Sequence, residues 1–187
     1  MANAKPQLQG QLLLDAGDLG GSCFARSVVL ICQHNAEGAF GLILSEPAGK
    51  IFGEAVNLDL PDMLKEHPLF VGGPVQPTAL SYLLSDDFLP EANVFPNLSL
   101  GHSLEELVEL GNSFSTTRRV RVFAGYAGWG PGQLESELRR KSWVVCPATL
   151  EIVFDPDPTS LWSRLIRRLG GWRNIILSQV PEDPSRN

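Results

Sequence analysis

Phe123-Ala124-Gly125-Tyr126-Ala127-Gly128-Trp129-Gly130-Pro131-Gly132-Gln133-Leu134-Glu135-Ser136-Glu137-Leu138 carries more structural information than any other stretch of this 187-residue chain. Its four glycines free the backbone for positive φ and for close approach, while two large aromatic rings stand among them. An apolar strand over residues 120–124 leads in. A helix leads out, with Pro131, Glu135 and Glu137 in its first turn and Arg139, Arg140 and Lys141 in its last, the charge order that a helix dipole favours. The spacing therefore predicts a strand, an outward-facing loop over residues 125–132, and a helix. Neither this segment nor any other supplies a nucleophile with its base or a set of metal ligands, so no reaction is legible.

Working outward, residues 8–14 read as a strand and residues 26–33 as a stronger, central one, because Val28, Val29, Leu30 and Ile31 are apolar on both faces. His34-Asn35-Ala36-Glu37-Gly38 supplies turn residues ahead of another buried strand at 40–44, which predicts a hairpin ended by Pro47 and Gly49. Phe52, Val56, Leu60 and Leu64 have helical spacing, and Pro61 divides that helix in two. Leu69-Phe70-Val71 leads into Gly72-Gly73-Pro74. Leu80, Tyr82 and Leu84 then alternate with polar or small partners, predicting a half-buried strand and a second hairpin. Ser103-Leu104-Glu105-Glu106 is a capping box for a helix that stops near Gly111. Segments 143–145 and 149–154 read with the strands. A final helix opens at Asp157-Pro158, runs through Leu161, Leu165, Ile166 and Leu169, and closes at Gly170-Gly171. The tail from Pro181 has no apolar period and is expected to fray. The expected fold is mixed α/β: one compact domain over residues 1–187, with a mostly antiparallel or mixed sheet, several hairpins and helices packed on it.

With 43% hydrophobic and 19% charged residues the chain can bury a real core. The apolar run 28–32 is too short to cross a bilayer and the N-terminus lacks the succession of an export signal, so a cytoplasmic protein is expected. Cys23, Cys32 and Cys146 are an odd number with no close pair, which argues against a disulfide framework and against a zinc site. The net charge of −6 is uneven: residues 1–93 carry four basic and eleven acidic side chains, the rest eleven and ten. Arg118, Arg119, Arg121 and the series Arg164, Arg167, Arg168 and Arg173 form either a local positive patch or solvated edges and helix ends, the second being preferred.

Three landmarks resemble the bacterial YqgE/AlgH family. The first is Phe24-Ala25-Arg26-Ser27-Val28-Val29-Leu30-Ile31-Cys32-Gln33-His34 with Gly38-Ala39-Phe40-Gly41-Leu42-Ile43-Leu44 after it. The second is Val71-Gly72-Gly73-Pro74-Val75. The third is the stretch 125–138, followed by Trp143, Pro147-Ala148 and Phe154-Asp155. The similarity spans about residues 8–170, with one departure, Ala16-Gly17-Asp18-Leu19-Gly20-Gly21, where the family usually shows a proline. The resemblance implies a bent or barrel-like mixed sheet with helices outside. It implies little chemistry, although one branch of the family is labelled a regulator of alginate genes.

Two functional readings follow. The leading one is a non-catalytic binding or regulatory protein whose contact surface joins Gly125, Tyr126, Gly128, Trp129, Gly130, Gly132 and Gln133 to the Gly72-Gly73-Pro74 turn and the His34-Asn35 turn. It requires an exposed Trp129 and no convergent pocket. The rival is an enzyme or sensor for a small anionic metabolite or nucleotide, with Arg26 and the loop amides as the anion clamp, Ser27 beside Arg26 as a candidate to complete a polar pocket, and His34 or Cys32, two residues apart on one strand face, as the reactive group. It requires a concave site in which Arg26, His34 and the loop converge. The structural alternative for the glycines is a sharp strand-to-helix turn in which Tyr126 and Trp129 cap the core. No cofactor or metal is expected. The expected partner is a protein or a small anion; direct nucleic-acid binding and membrane association are not expected, and a homo-oligomer is compatible with exposed aromatics.

Overall fold

The computed structural model describes residues 7–57, 60–87, 92–113 and 115–171. Among these residues nine strands, β1 (Gln11–Asp15), β2 (Val28–Asn35), β3 (Gly38–Ile43), β4 (Pro47–Ile51), β5 (Pro68–Val71), β6 (Val75–Ser85), β7 (Ser99–Gly101), β8 (Arg119–Trp129) and β9 (Trp143–Pro147), belong to one mixed sheet. Its main path runs β4-β5-β8-β3-β2-β1-β9, with β6 on β8 and β7 on β6. The sheet is bent but not closed into a barrel. Among the described residues six helices cover it: α1 (Phe52–Ala55), α2 (Asp62–Lys65), α3 (Leu104–Asn112), α4 (Gln133–Arg139), α5 (Leu150–Val153) and α6 (Leu161–Arg168). The tail expected to fray lies outside the described residues, as does Arg173.

The apolar run of β2 lies between β1 and β3 and is buried on both faces. Val28 and Leu30 join a core roofed by Leu161, Trp162, Leu165 and Ile166 of α6, whereas Val29 and Ile31 join a second core with Trp129, Leu134 and Trp143. A third core packs Phe52, Leu64 and Leu107 of α1 to α3 on Leu69, Tyr82 and Val122. The β2–β3 hairpin forms as expected, Pro61 separates α1 from α2, and the Ser103 hydroxyl accepts the Glu106 N–H at 3.2 Å to open α3.

Several expectations are corrected. Residues 47–51 do not merely end the hairpin; they pair with β5 as edge strand β4. Residues 149–154 are not extended: Thr149 caps the short helix α5, its hydroxyl accepting the Ile152 N–H. The glycine-rich segment 125–129 is not loop. It is the second half of β8, whose Ala127 and Trp129 pair with Gly41 and Ala39 of β3. Finally, β5 and β6 do not form a hairpin, because β8 lies between them, parallel to β5 and antiparallel to β6.

That last correction explains the glycines. Val71 pairs with Ala124 on one side of β8 and Val75 pairs with Tyr126 on its other side, so residues 72–74 must cross β8 within three residues. Crossing so tightly brings backbone against backbone. A Cβ on Gly73, whose φ is +154°, would stand 2.2 Å from the Tyr126 carbonyl carbon, and one on Gly125, at φ +71°, would stand 2.4 Å from the Gly73 carbonyl oxygen. Glycine alone fits both backbone angles and leaves room for the crossing. The two glycine motifs, fifty residues apart in sequence, are the two halves of one crossing.

Candidate ligand cleft

Asp15 closes β1 and is only 2% exposed. A buried carboxylate is costly unless its oxygens are satisfied, and here main-chain donors do it: Oδ1 accepts the N–H of Gly17 at 2.8 Å and of Leu19 at 3.3 Å, and Oδ2 accepts the Arg26 N–H at 2.8 Å. The loop from Gly17 to Arg26 is thereby wrapped around one side chain. Its carbonyl oxygen accepts the indole N–H of Trp162 at 3.0 Å, tying α6 to the same residue. Arg26 sits at φ 54°, a left-handed angle that turns the chain into β2, and its guanidinium lies 5.3 Å above the Trp162 ring.

Between this loop and the β8 crossing opens a cleft of about 750 Å³, with Arg26, Asp15 and Trp162 on one side and Ile43, Glu46, Gly73 and Pro74 on the other. The exposed thiol of Cys23 also lines it. Of the residues singled out in the sequence, the cleft brings together Arg26, Gly73 and Pro74. Ser27 follows directly and is buried; among the described residues its hydroxyl has no hydrogen-bond partner. Gly72 is buried beneath the crossing, where its N–H donates to the Ala124 carbonyl at 2.9 Å.

The remaining candidates lie elsewhere. Trp129 is 6% exposed, so it cannot form an outward-facing recognition edge. Its ring lies 6.2 Å from Trp143 and 6.1 Å from Phe24, and the Nε1 atoms of both tryptophans donate to one oxygen of Glu137, each at 2.8 Å. Tyr126 stacks on Phe40 at 4.8 Å. Gly128 and Gly130 are exposed, Gly132 is the left-handed N-cap of α4, and Gln133 accepts the Gly130 N–H and donates to Glu137. These residues turn the chain from β8 into α4, the structural alternative read from the sequence. Asn35 accepts the Glu37 N–H at 2.8 Å and closes the β2–β3 turn.

His34 and Cys32 do not form a reactive pair. A β-bulge between Ile31 and Gln33 interrupts the alternation of β2. Cys32 stays with Val28 and Leu30 in the first core, while His34 accepts the Leu8 N–H on Nδ1 at 3.1 Å, beside the second core, with Glu135 3.8 Å from Nε2. Burial pushes the Cys32 thiol far up, and that of Cys146 up as well, so both remain protonated thiols. Among the described residues no cluster of histidine, cysteine and carboxylate side chains could hold a metal ion, and no helix is long and apolar enough to cross a membrane.

Asp15, Cys23, Glu46 and Trp162 were not anticipated as cleft residues. Only Asp15 carried a signal, since an aspartate followed two residues later by glycine is a common Asx-turn pattern.

The geometry defines a single-domain α/β protein with a bent mixed sheet, a glycine crossing over β8 and a cleft beside that crossing. The chain belongs to the AlgH-like family, whose pattern matches residues 12–174. It is 36% identical over 184 residues to a UPF0301 protein of Cytophaga hutchinsonii, covering 96% of this chain and 98% of that one. Among solved structures it is similar to the AlgH protein of Pseudomonas aeruginosa, with a TM-score of 0.73 and 27% identity over 97% of this chain and 99% of that one. A protein from Corynebacterium diphtheriae shares the fold, with a TM-score of 0.74 at 24% identity over 96% of this chain and 95% of that one.

Proposed function

We propose that this chain is a cytoplasmic ligand-binding protein without catalytic chemistry, and that its site is the cleft between the loop wrapped on Asp15 and the β8 crossing. The observation that carries the reading is the meeting of Arg26, Gly73 and Pro74 in a concavity of about 750 Å³, which lies within the size range of small-molecule sites. The cleft holds one guanidinium and two carboxylates; Asp15 is already satisfied by three N–H groups, and Arg26 and Glu46 line the concavity with it. A small organic acid suits this arrangement, with its carboxylate on Arg26 and a hydroxyl or amino group toward Glu46. The non-catalytic reading is supported by the separation of Cys32 from His34 and by the protonated state of the buried thiols. Three unpaired cysteines favour a reducing compartment. On this reading a regulatory output depends on occupancy of the cleft.

A thermal-shift panel of organic acids, amino acids, nucleotides and phosphates tests it. At least one organic acid is expected to raise the melting temperature saturably, by about 2.7 kcal/mol of stabilisation at a hundred times its Kd. Arg26→Ala is expected to remove that shift while leaving the ligand-free transition within about 1 kcal/mol of the parent, since the side chain is half-exposed. A shift that survives in Arg26→Ala would reject the clamp.

A further inference from the structure

A second concavity, of about 560 Å³, lies beside the start of β8, where Arg118, Arg119 and Arg121 meet the rings of Phe70 and Phe154 and the carboxylate of Asp155. Its charges are not balanced. Arg118 pairs with Asp86 at 3.2 Å and donates further to the carbonyls of Leu110 and Ser113. Asp155 is taken by Arg164 at 2.6 Å and by the Asp157 N–H. Arg121 has no such partner, although only 8% of it is exposed. Its Nη2 donates to the Asp155 carbonyl at 2.7 Å, its Nη1 reaches the Leu44 carbonyl at 3.5 Å, and its guanidinium lies 4.3 Å over the Phe70 ring. Among the described residues no carboxylate forms an ion pair with it.

Burying a guanidinium against carbonyls and a ring is expensive unless a counter-charge arrives. Burial lowers the pKa of Arg121 to about 10, against a smaller opposing effect of the nearby Asp155 carboxylate, and still leaves it charged at neutral pH. Five N–H donors and two carbonyl acceptors leave donors to spare, and the residue lines the cavity. Arg119 stands two residues earlier on the same side of β8, exposed and 5.1 Å over the Phe154 ring. It acts on the carboxyl of Glu151 only as the smallest of the influences there. Side chains two apart on a strand sit roughly 7 Å apart, so both guanidiniums can reach a single tetrahedral anion.

We infer that this cavity is an anion site in which Arg121 and Arg119 together hold the dianionic phosphate of a small organic phosphate monoester. Two guanidiniums that form no ion pair among the described residues match a dianionic phosphate monoester better than a monoanionic carboxylate. The cavity is larger than inorganic phosphate alone requires, and Pro47, Pro68, Pro156 and Pro158 with the two phenyl rings give it apolar walls for an organic body. The site is separate from the Arg26 cleft and does not depend on that reading.

Isothermal titration of the full chain with phenyl phosphate and with inorganic phosphate, at one low ionic strength, tests the inference. Phenyl phosphate is expected to bind at least tenfold more tightly than inorganic phosphate, with unchanged affinity in Arg139→Ala, which removes an exposed arginine outside both cavities. Arg119→Ala, a change at an exposed position, is expected to weaken it at least tenfold, and Arg121→Met, which keeps volume and apolar contact with Phe70, to abolish it. Should Arg121→Met fail to fold, Arg119→Ala decides alone. Absence of binding at millimolar phenyl phosphate, affinity unchanged in Arg119→Ala, or loss in Arg26→Ala instead would overturn the inference. So would a single-stranded oligonucleotide that binds more tightly than phenyl phosphate with a steep salt dependence, because it would assign the arginines to a nucleic-acid surface.

Discussion

Gly73→Ala is expected to lower stability by about 4 kcal/mol or more, a large share of the roughly 5–15 kcal/mol that holds a typical domain together. Two costs add. The added methyl would meet the Tyr126 carbonyl carbon at 2.2 Å, its oxygen at 2.3 Å and the Ala127 nitrogen at 2.4 Å, all backbone atoms of β8 that cannot turn aside as a side chain can. The backbone must also hold a residue with a Cβ at φ +154°, a conformation that costs on the order of 1–3 kcal/mol. Relieving either means lifting the crossing away from β8 and parting β5 and β6 from it. For a chain of this size each kcal/mol moves the melting temperature by about 2–4 °C, so circular dichroism should record a fall of about 8–16 °C or more. Gly132→Ala is the control. At φ +72° with nothing within 4 Å of the added carbon, it should cost only about 1–2 kcal/mol. Equal melting temperatures for the two variants would refute the crossing argument.

Glu137→Ala is expected to lower stability by about 2–6 kcal/mol. One carboxylate oxygen accepts both the Trp129 and the Trp143 indole N–H, and the other accepts from Gln133 Nε2 at 3.1 Å. Truncation leaves two largely buried indole donors without an acceptor, each costing about 1–3 kcal/mol. Glu137→Gln retains an oxygen that can face both indoles but loses the charge assistance of those bonds and, with its NH2 in place of Oε1, the acceptor for the exposed Gln133 Nε2, so about 1 kcal/mol is expected. Urea unfolding followed by tryptophan fluorescence separates the two, and the emission of folded Glu137→Ala should shift because two indoles change their surroundings together. An alanine variant no weaker than the glutamine variant would mean that the carboxylate does not hold the pair.

Local chemistry was legible wherever it was decided locally. The apolar run of β2, the cap at Ser103, the break at Pro61 and the close of the last helix near Gly170 depend on residues within a few positions of one another. The family was legible too, because its landmarks lie in order along the chain. What failed depended on distant chain. Residues 125–129 look like loop because their glycines are dense, yet they are strand glycines, kept small for residues 72–74 that pass over them. Nothing near residues 68–85 announces that β8, some forty residues on, separates β5 from β6. The face of His34 followed from strict alternation, and a single bulge at residues 31–33 reversed it. Arg26 was legible as a candidate because it opens the central strand, whereas Trp162, 136 residues away, had no signal that would place it under that guanidinium.

The cleft at Arg26 and Gly73 is the place we propose for this protein to meet its ligand. Amide chemical-shift mapping during titration with an organic acid selected by melting-temperature shift tests it most directly. Saturable perturbations are expected at the amides of residues 17–26 and at Gly73, with the start of α4 at Gly130 and Gln133 unmoved. Perturbations centred on Gly130 and Gln133, or none that saturate at residues 17–26, would contradict the account.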